Sequence, residues 1–271
     1  MNDPRVLQGE LKTCELKNSA GDSAVVYPFG ACVTSYVKGG TDYLCVRPDA
    51  KLDGSKPISG GIPHCFPQFG PGAIQQHGFA RNLDWDIEEQ TDDKIVFSLS
   101  ENDYTMEMWP HQFNAKYTVA LKDDSLDTEF TVTNTGSKPF DFTAALHTYW
   151  SVSGIKNIKI KSPAFNGATY LDKMQSPPKD VQSSTDTITI SEEVDQVYAG
   201  VSGDVVLEDS GRSRPLTISN QLGWSDTVLW NPFGNEGMGY DSFVCVESAQ
   251  AATPVILQPG EYWTGAMKVV P

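Results

Sequence analysis

Short runs of alternating apolar and polar residues recur along almost the whole chain. Three of them are Ile95 to Leu99, Phe113 to Leu121 and Phe140 to Leu146. This period of two is typical of a β-strand with one buried face, because successive side chains point to opposite sides of the strand. No window of eleven or more residues has apolar side chains at helical spacing without Gly, Pro or β-branched interruptions. The pattern therefore predicts an all-β chain with a few short helical turns.

The same reasoning predicts more than a dozen strands in total. The other candidates are Leu83 to Ile87, Thr128 to Val132, Ile155 to Ile160, Ile188 to Ile190, Val205 to Leu207, Leu216 to Ser219, Thr227 to Trp230, Phe243 to Glu247, Val255 to Leu257 and Tyr262 to Val270. One open twisted sheet does not hold so many strands. Two packed antiparallel sheets and a closed barrel are both compatible with the pattern.

The polar segment from Tyr170 to Ser184 contains Pro177 and Pro178 and has the composition of a linker between domains. The strand pattern is alike on its two sides, however. We therefore expect a surface excursion within one domain that spans residues 1–271.

The charge and the cysteines exclude some classes of function. The net charge of −15 argues against a nucleic-acid partner, and an anionic small molecule would need a local cationic pocket. The five cysteines form no CxxC pair, so we expect reduced thiols, no metal centre and a reducing compartment. No apolar run of about 18 residues suggests a membrane span. The start MNDPRVLQGE lacks signal and transit features, so we expect the cytoplasm, or an organelle stroma if a transit peptide was removed.

Residues 60–81 read GGIPHCFPQFGPGAIQQHGFAR and combine turn formers with aromatic and polar side chains. The Gly and Pro residues exclude a helix. A packed surface loop is one interpretation, and a rigid loop that lines a pocket is the other. Under the second, Gln76, His77 and Arg81 would face the pocket, where a guanidinium group suits carboxylate, phosphate or hydroxyl oxygens. Cys65 in this loop is expected to be a buried thiol.

His147, Glu247 and Asp195 are further candidates for chemistry. His147 ends the alternating run FTAALHTYW, and an imidazole near neutral pH is a natural proton donor, although a strand histidine also serves structural roles. Glu247 ends the apolar run FVCVE, where a carboxylate indicates either a site or a strand end that meets solvent. Asp195 lies in EEVDQVYAG, which also reads as an exposed acidic turn. Nucleophile-elbow, HExxH, P-loop and dinucleotide motifs are absent from the sequence.

Six sequence blocks in order resemble one family. They are KLDGSKPISGGIPHCFPQFG, QQHGFARN, LHTYW, VDQVY, VLWNP and CVES. This set is similar to the glucose-6-phosphate 1-epimerases, the hexose-6-phosphate mutarotase branch of the galactose mutarotase-like proteins, and the likeness runs from about Ala24 to Ala266. The resemblance implies an antiparallel β supersandwich. It also implies a cofactor-independent and metal-independent isomerase that exchanges the anomers of a sugar phosphate.

The resemblance assigns a role to each candidate residue. His147 matches the family's catalytic acid and Glu247 its catalytic base. Gln76, Arg81 and Asp195 match positions that bind substrate, and His77 matches a histidine that helps to hold the sugar.

Ser59 departs from the family pattern, which has arginine directly before GGIP at the phosphate end of the substrate. A hydroxyl group offers one donor where a guanidinium group offers five donors and a charge. Arg47, Lys51 and Lys56 are candidates to compensate. Two alternatives therefore stay open, namely a mutarotase for unphosphorylated aldoses and a non-catalytic carbohydrate-binding protein. For each of them we expect a monomer.

Overall fold

The structure is a computed structural model that describes residues 11–271, and all ladders between its strands are antiparallel. The strands are β1 (Cys14–Lys17), β2 (Ser23–Tyr27), β3 (Cys32–Lys38), β4 (Thr41–Asp42), β5 (His64–Cys65), β6 (Asp86–Gln90), β7 (Lys94–Ser100), β8 (Phe113–Leu121), β9 (Leu126–Asn134), β10 (Phe140–Leu146), β11 (Trp150–Ser151), β12 (Ile158–Lys161), β13 (Thr169–Asp172), β14 (Lys179–Gln182), β15 (Thr187–Ile188), β16 (Val194–Tyr198), β17 (Asp204–Asp209), β18 (Leu216–Leu222), β19 (Asp226–Asn231), β20 (Phe243–Leu257) and β21 (Tyr262–Val270).

The described strands form three sheets. A four-stranded sheet has the order β1-β2-β3-β4. An eight-stranded sheet has the order β14-β13-β16-β19-β20-β10-β5, and β11 also pairs with β20. A nine-stranded sheet has the order β15-β12-β17-β18-β21-β9-β8-β7-β6. The sequence-based prediction of an all-β antiparallel fold is confirmed, and the open sheet orders favour packed sheets over the closed barrel.

The core lies between the eight- and nine-stranded sheets. On β10, the predicted face of Phe142, Ala144 and Leu146 belongs to one buried cluster that also contains side chains from β8, β9 and β21. Aromatic contacts bridge the two sheets, as where the rings of Phe142 and Trp263 lie 5.6 Å apart. On β20, Val244 and Val246 face this cluster. Cys245 and Glu247 therefore face the other side of the sheet, because side chains alternate along a strand.

The helical content is small, as predicted. One α-helix, α1 (Asp103–Met108), is described, and it begins at a capping box between Asn102 and Thr105. Residues 155–157, which the sequence pattern included in a strand, form a 3-10 helix before β12. No helix within residues 11–271 is long and apolar enough to cross a membrane.

Three details differ from the sequence-based interpretations. Glu247 does not end its strand, because β20 continues for ten more residues to Leu257 and pairs there with β10 and β19. Asp195 is not in an exposed turn, because β16 pairs with β19 and places Asp195 opposite Trp230. The polar segment from Tyr170 to Ser184 contains the strands β13 and β14, which extend the eight-stranded sheet at its edge. Backbone hydrogen bonds suffice there, since an edge strand need not bury apolar side chains.

Candidate active site

A cavity of about 660 Å³ opens on the face of the eight-stranded sheet that points away from the core. All six site residues predicted from the sequence line it. They are Gln76, His77, Arg81, His147, Asp195 and Glu247. They come from four separate stretches of the chain, namely the loop of residues 60–81, β16, β20 and the residue after β10. The sheet order β16-β19-β20-β10-β5 brings these stretches together.

The loop of residues 60–81 is a rigid wall of this cavity. Phe66 and Phe79 are fully buried, and the Phe79 amide donates a hydrogen bond to the Phe66 carbonyl over 3.0 Å. Gly78 has a φ of +68°, and a Cβ atom there would lie 2.1 Å from the Phe66 oxygen. Only glycine allows this close approach of two backbone segments. The pocket-lining interpretation of the loop therefore agrees with the structure better than that of a plain surface loop.

His147 and Glu247 are neighbours across two adjacent strands. Leu146 pairs with Ser248 at the end of β10, so the next residue, His147, lies beside Glu247. Nδ1 of His147 is 3.5 Å from Oε1 of Glu247. The imidazole ring stacks on Tyr149 at 5.0 Å and meets the edge of the Trp230 ring at 5.7 Å. These contacts fix the ring orientation and leave aromatic surface for the apolar face of a sugar.

Burial shifts the pKa values of this pair in opposite directions. Burial, followed by the nearby Asp195 carboxylate, raises the pKa of Glu247 well above its usual value. Burial, followed by the neighbouring His77 ring and the positive charge of Arg81, lowers the pKa of His147 well below its usual value. Both shifts favour the neutral forms, in which the carboxyl group holds a proton and the imidazole does not. The pair can thus give up one proton and accept another, as paired acid–base catalysis requires.

His77 is held in one tautomer. The Gly70 amide donates a hydrogen bond of 3.1 Å to Nδ1 of His77, and the Cys65 sulfur lies 3.1 Å from the same nitrogen. Nδ1 is therefore an acceptor and the ring hydrogen is on Nε2. The Gln76 side chain lies 3.4 Å from Nε2 and can accept this hydrogen only when its amide oxygen, and not its nitrogen, faces the ring. Burial lowers the pKa of His77 to about 3, so its ring is neutral. The prediction that Cys65 is a buried thiol is confirmed.

Three cationic side chains line the cavity. Arg81 donates a hydrogen bond of 3.0 Å to the Gln76 carbonyl, and its buried Nε has no hydrogen-bond partner among residues 11–271. Lys173 forms an ion pair of 3.2 Å with Asp195. Arg47 donates to the Asp49 carboxylate through Nε at 2.9 Å. In a chain with a net charge of −15, this grouping favours an anionic ligand.

Sequence reasoning missed Lys173 and only named Arg47 as one of three candidates. The Arg47 amide donates to the Ser59 carbonyl over 3.0 Å, so Arg47 lies beside the serine that replaces the expected arginine, and both residues line the cavity. Lys51 and Lys56 are not among the residues that line it. Lys173 directly follows β13. The sequence pattern predicted no strand in this polar segment, so it gave no reason to place Lys173 beside the other site residues.

Comparisons with known proteins identify the family and support the fold. The profile of a family described as Aldose 1-epimerase matches residues 12–269. A candidate glucose-6-phosphate 1-epimerase from Cenchrus ciliaris is 31% identical, and the match spans 96% of this chain and 85% of that protein. The crystal structure of a candidate mutarotase from Salmonella typhimurium superposes with a TM-score of 0.85 at 25% identity, and the match covers 96% of this chain and 90% of that chain. A galactose mutarotase related enzyme from Lactobacillus acidophilus has a TM-score of 0.79 at 16% identity over 96% and 97% of the two chains, which supports the fold alone.

Proposed function

This chain belongs to the aldose 1-epimerase family, and we propose that it interconverts the α and β anomers of a hexose 6-phosphate, with glucose 6-phosphate as the expected substrate. Membership of the family makes the chain an isomerase that acts on sugar anomers. The specificity for a phosphorylated sugar and the roles of individual residues are the proposal.

The observation that carries the mechanism is the isolated His147–Glu247 pair inside the cavity. Anomer exchange requires that the C1 hydroxyl group loses a proton and that the ring oxygen gains one. Glu247 as carboxylate takes the first proton, and protonated His147 gives the second. The ring opens to the aldehyde, rotation about the C1–C2 bond presents the other carbonyl face, and the reversed transfers close the ring.

Substrate binding converts the neutral His147–Glu247 pair into the charged pair that the mechanism requires, with a carboxylate on Glu247 and an imidazolium on His147. A bound sugar phosphate brings negative charge near His147, which favours the imidazolium. The hydroxyl groups of the sugar donate hydrogen bonds to Glu247, which favours the carboxylate. The sum of protons on the pair stays at one. The protein therefore needs no external proton to enter the reactive form.

The three cations favour a phosphorylated substrate. The buried Nε of Arg81 has no hydrogen-bond partner in the part of the chain that the structure describes, and Arg47 lies beside Ser59 at the position where the family pattern expects the phosphate. Lys173 is tied to Asp195, so it positions that carboxylate for the sugar hydroxyl groups and adds positive charge. The description of the Cenchrus ciliaris relative names the same substrate.

Two-dimensional exchange NMR on the two anomers of glucose 6-phosphate tests this function. We expect exchange cross-peaks that grow with enzyme concentration, and slower exchange with unphosphorylated glucose. A clear preference for glucose would replace the phosphorylated substrate with a free aldose. Sugar binding by calorimetry with exchange at the rate of the buffer alone would identify a carbohydrate-binding protein instead of an enzyme.

A further inference from the structure

A sulfur ligand lies next to the His147–Glu247 pair. Cys245 precedes Glu247 by two residues on β20, so both side chains point to the same face of the sheet. One ligand atom each from His147, Cys245 and Glu247 all lie within 4.8 Å of one another. Bonds from Zn²⁺ to nitrogen, oxygen and sulfur are about 2.0–2.3 Å long, so tetrahedral ligand atoms lie about 3.3–3.8 Å apart. Small side-chain rotations that close the cluster would therefore bring the three atoms around one ion.

Two atoms of this cluster have no hydrogen-bond partner within residues 11–271. They are Nδ1 of His147 and Oε2 of Glu247, and both atoms are buried. Only 2% of Glu247 is exposed. A buried polar atom without a hydrogen bond is costly, so the empty cluster favours any ligand that satisfies both atoms. A cation does so, since it accepts the lone pair of a neutral imidazole and the charge of a carboxylate.

We propose that His147, Cys245 and Glu247 form a binding site for Zn²⁺ or a similar thiophilic cation, and that the bound ion excludes sugar from the cavity. The mixed set of nitrogen, sulfur and oxygen ligands suits Zn²⁺, whereas Mg²⁺ and Ca²⁺ require six or more oxygen ligands. Three protein ligands leave a fourth position of the tetrahedron open to a water molecule from the cavity. As the ion binds, the thiol of Cys245 and the carboxyl group of Glu247 each lose a proton to the solvent, so binding releases two protons.

The surrounding charges set the strength of this site. A thiolate and a carboxylate neutralise the two charges of the ion. Arg81 and Lys173 on the cavity wall oppose a cation, while Asp195 favours it. We therefore expect weaker binding than at structural zinc sites. The competition with sugar rests on the proposed function, because it assumes that His147 and Glu247 also contact the substrate, but metal binding itself does not.

Cobalt spectroscopy tests the metal site without turnover. Co²⁺ added to the metal-free protein should give a thiolate-to-cobalt charge-transfer band in the near ultraviolet, and Zn²⁺ should abolish the band by displacement. Cys245→Ser should lack the band. Cys14→Ser, which removes another buried thiol on β1, should retain it. Absence of the band in the wild-type protein, or its persistence in Cys245→Ser, would refute the site.

Inhibition tests the competition. Zn²⁺ should slow anomer exchange, with an apparent inhibition constant that rises with sugar concentration, and EDTA should restore the rate. Cys245→Ser should require at least about tenfold more Zn²⁺, since losing even a supporting partner of a metal ligand costs about 10- to 100-fold in affinity. Mg²⁺ should have no effect. A cobalt band in a protein that shows no anomer exchange would preserve the metal site and refute the proposed function. Anomer exchange without any response to Zn²⁺ would preserve the proposed function and refute the exclusion of sugar by the metal.

Discussion

At the scale of single residues, the site depends on where Glu247 and His147 lie relative to two strands. From the sequence, the apolar run FVCVE predicted a strand with a carboxylate at its end, and exposure to solvent was one of two interpretations. The structure buries Glu247 in the middle of β20. The continuation of the strand through residues 248–254 was not predicted because that stretch contains small and polar residues, and Val255 to Leu257 was predicted as a separate strand. Its pairing with two neighbouring strands, which local sequence does not encode, extends it.

Replacing the proposed base tests the mechanism. Glu247→Gln keeps the size of the side chain but cannot take a proton, so exchange of glucose 6-phosphate should slow by about 10²- to 10⁴-fold. Glu208→Gln, on β17 of the other large sheet, is the matched control and should exchange at the wild-type rate. Exchange NMR measures both proteins. A Glu247→Gln protein as fast as the control would remove Glu247 from the mechanism.

Replacing the cations tests the phosphate contact. Arg47→Gln and Arg81→Gln should each raise the KM for glucose 6-phosphate about 10- to 100-fold, because a hydrogen bond to a charged group contributes about 1.5–3 kcal/mol. Exchange of free glucose should change less, since it lacks the phosphate. Lys56→Gln, outside the cavity, is the control. Equal losses with both sugars would show that the arginines hold the sugar or the loop, and not the phosphate.

At the scale of elements, the loop of residues 60–81 shows what a sequence does and does not predict. Its Gly and Pro residues predicted turns, and its polar residues predicted a pocket wall. The sequence did not show on which side of the loop the Arg81 side chain would lie, because that depends on the backbone contact between Phe66 and Gly78 across the loop. The positions of Lys173 and Arg47 could not be predicted from the sequence for a similar reason. The backbone amide of Lys173 donates to the Asp195 carbonyl, and that of Arg47 donates to the Ser59 carbonyl. These partners are distant in the sequence, and they set where both segments lie.

The close contact inside the loop predicts a strong effect of one methyl group. Gly78→Ala should lower the free energy of unfolding by about 3 kcal/mol or more, because it adds a steric clash to the strain of a left-handed backbone. Gly200→Ala is the control. It has a φ of +71° with nothing within 4 Å of the added carbon, so strain alone should cost about 1–2 kcal/mol. Urea titration measures both values. Equal losses would mean that the loop relaxes around the clash.

At the scale of the whole molecule, one buried cluster joins all three sheets. It contains Leu16 and Val26 from the small sheet, Leu146 from the eight-stranded sheet, and Phe130 from the nine-stranded sheet. The single-domain prediction for residues 1–271 leads us to expect one cooperative unfolding transition. Tryptophan fluorescence and far-ultraviolet circular dichroism should then give the same midpoint in urea. Two separate midpoints would indicate two independently folding units.

The buried ring of His64 makes the stability of this core depend on pH. It is fully buried, and its ring lies 4.2 Å from Tyr117 and 5.0 Å from Phe130. Burial lowers the pKa of His64 to about 3, while the unfolded chain binds a proton near pH 6.5. The stability from the neutral ring is therefore complete above pH 6.5 and is lost as the pH falls towards 3. The loss between pH 7 and pH 5 should be about 2 kcal/mol.

Replacing His64 checks that acid dependence. His64→Leu should show about 2 kcal/mol less loss of unfolding free energy than the wild-type protein between pH 7 and pH 5. His111→Leu removes a less buried histidine and should change the loss less. Urea titrations at the two pH values measure the difference. An unchanged loss in His64→Leu would show that the buried ring already takes up a proton in the folded state.

The proposed acid and base come from one central pair of strands, whereas Arg47, Arg81 and Lys173 come from three peripheral segments of the chain. The separation has a consequence for evolution. A mutation in a peripheral segment can change which sugar is accepted while the strand ladder keeps the proton-transfer pair in place. Ser59 lies on this rim at a position where the family resemblance predicts arginine, and the neighbouring Arg47 lines the same cavity. The fold can therefore acquire new substrates without first losing its chemistry.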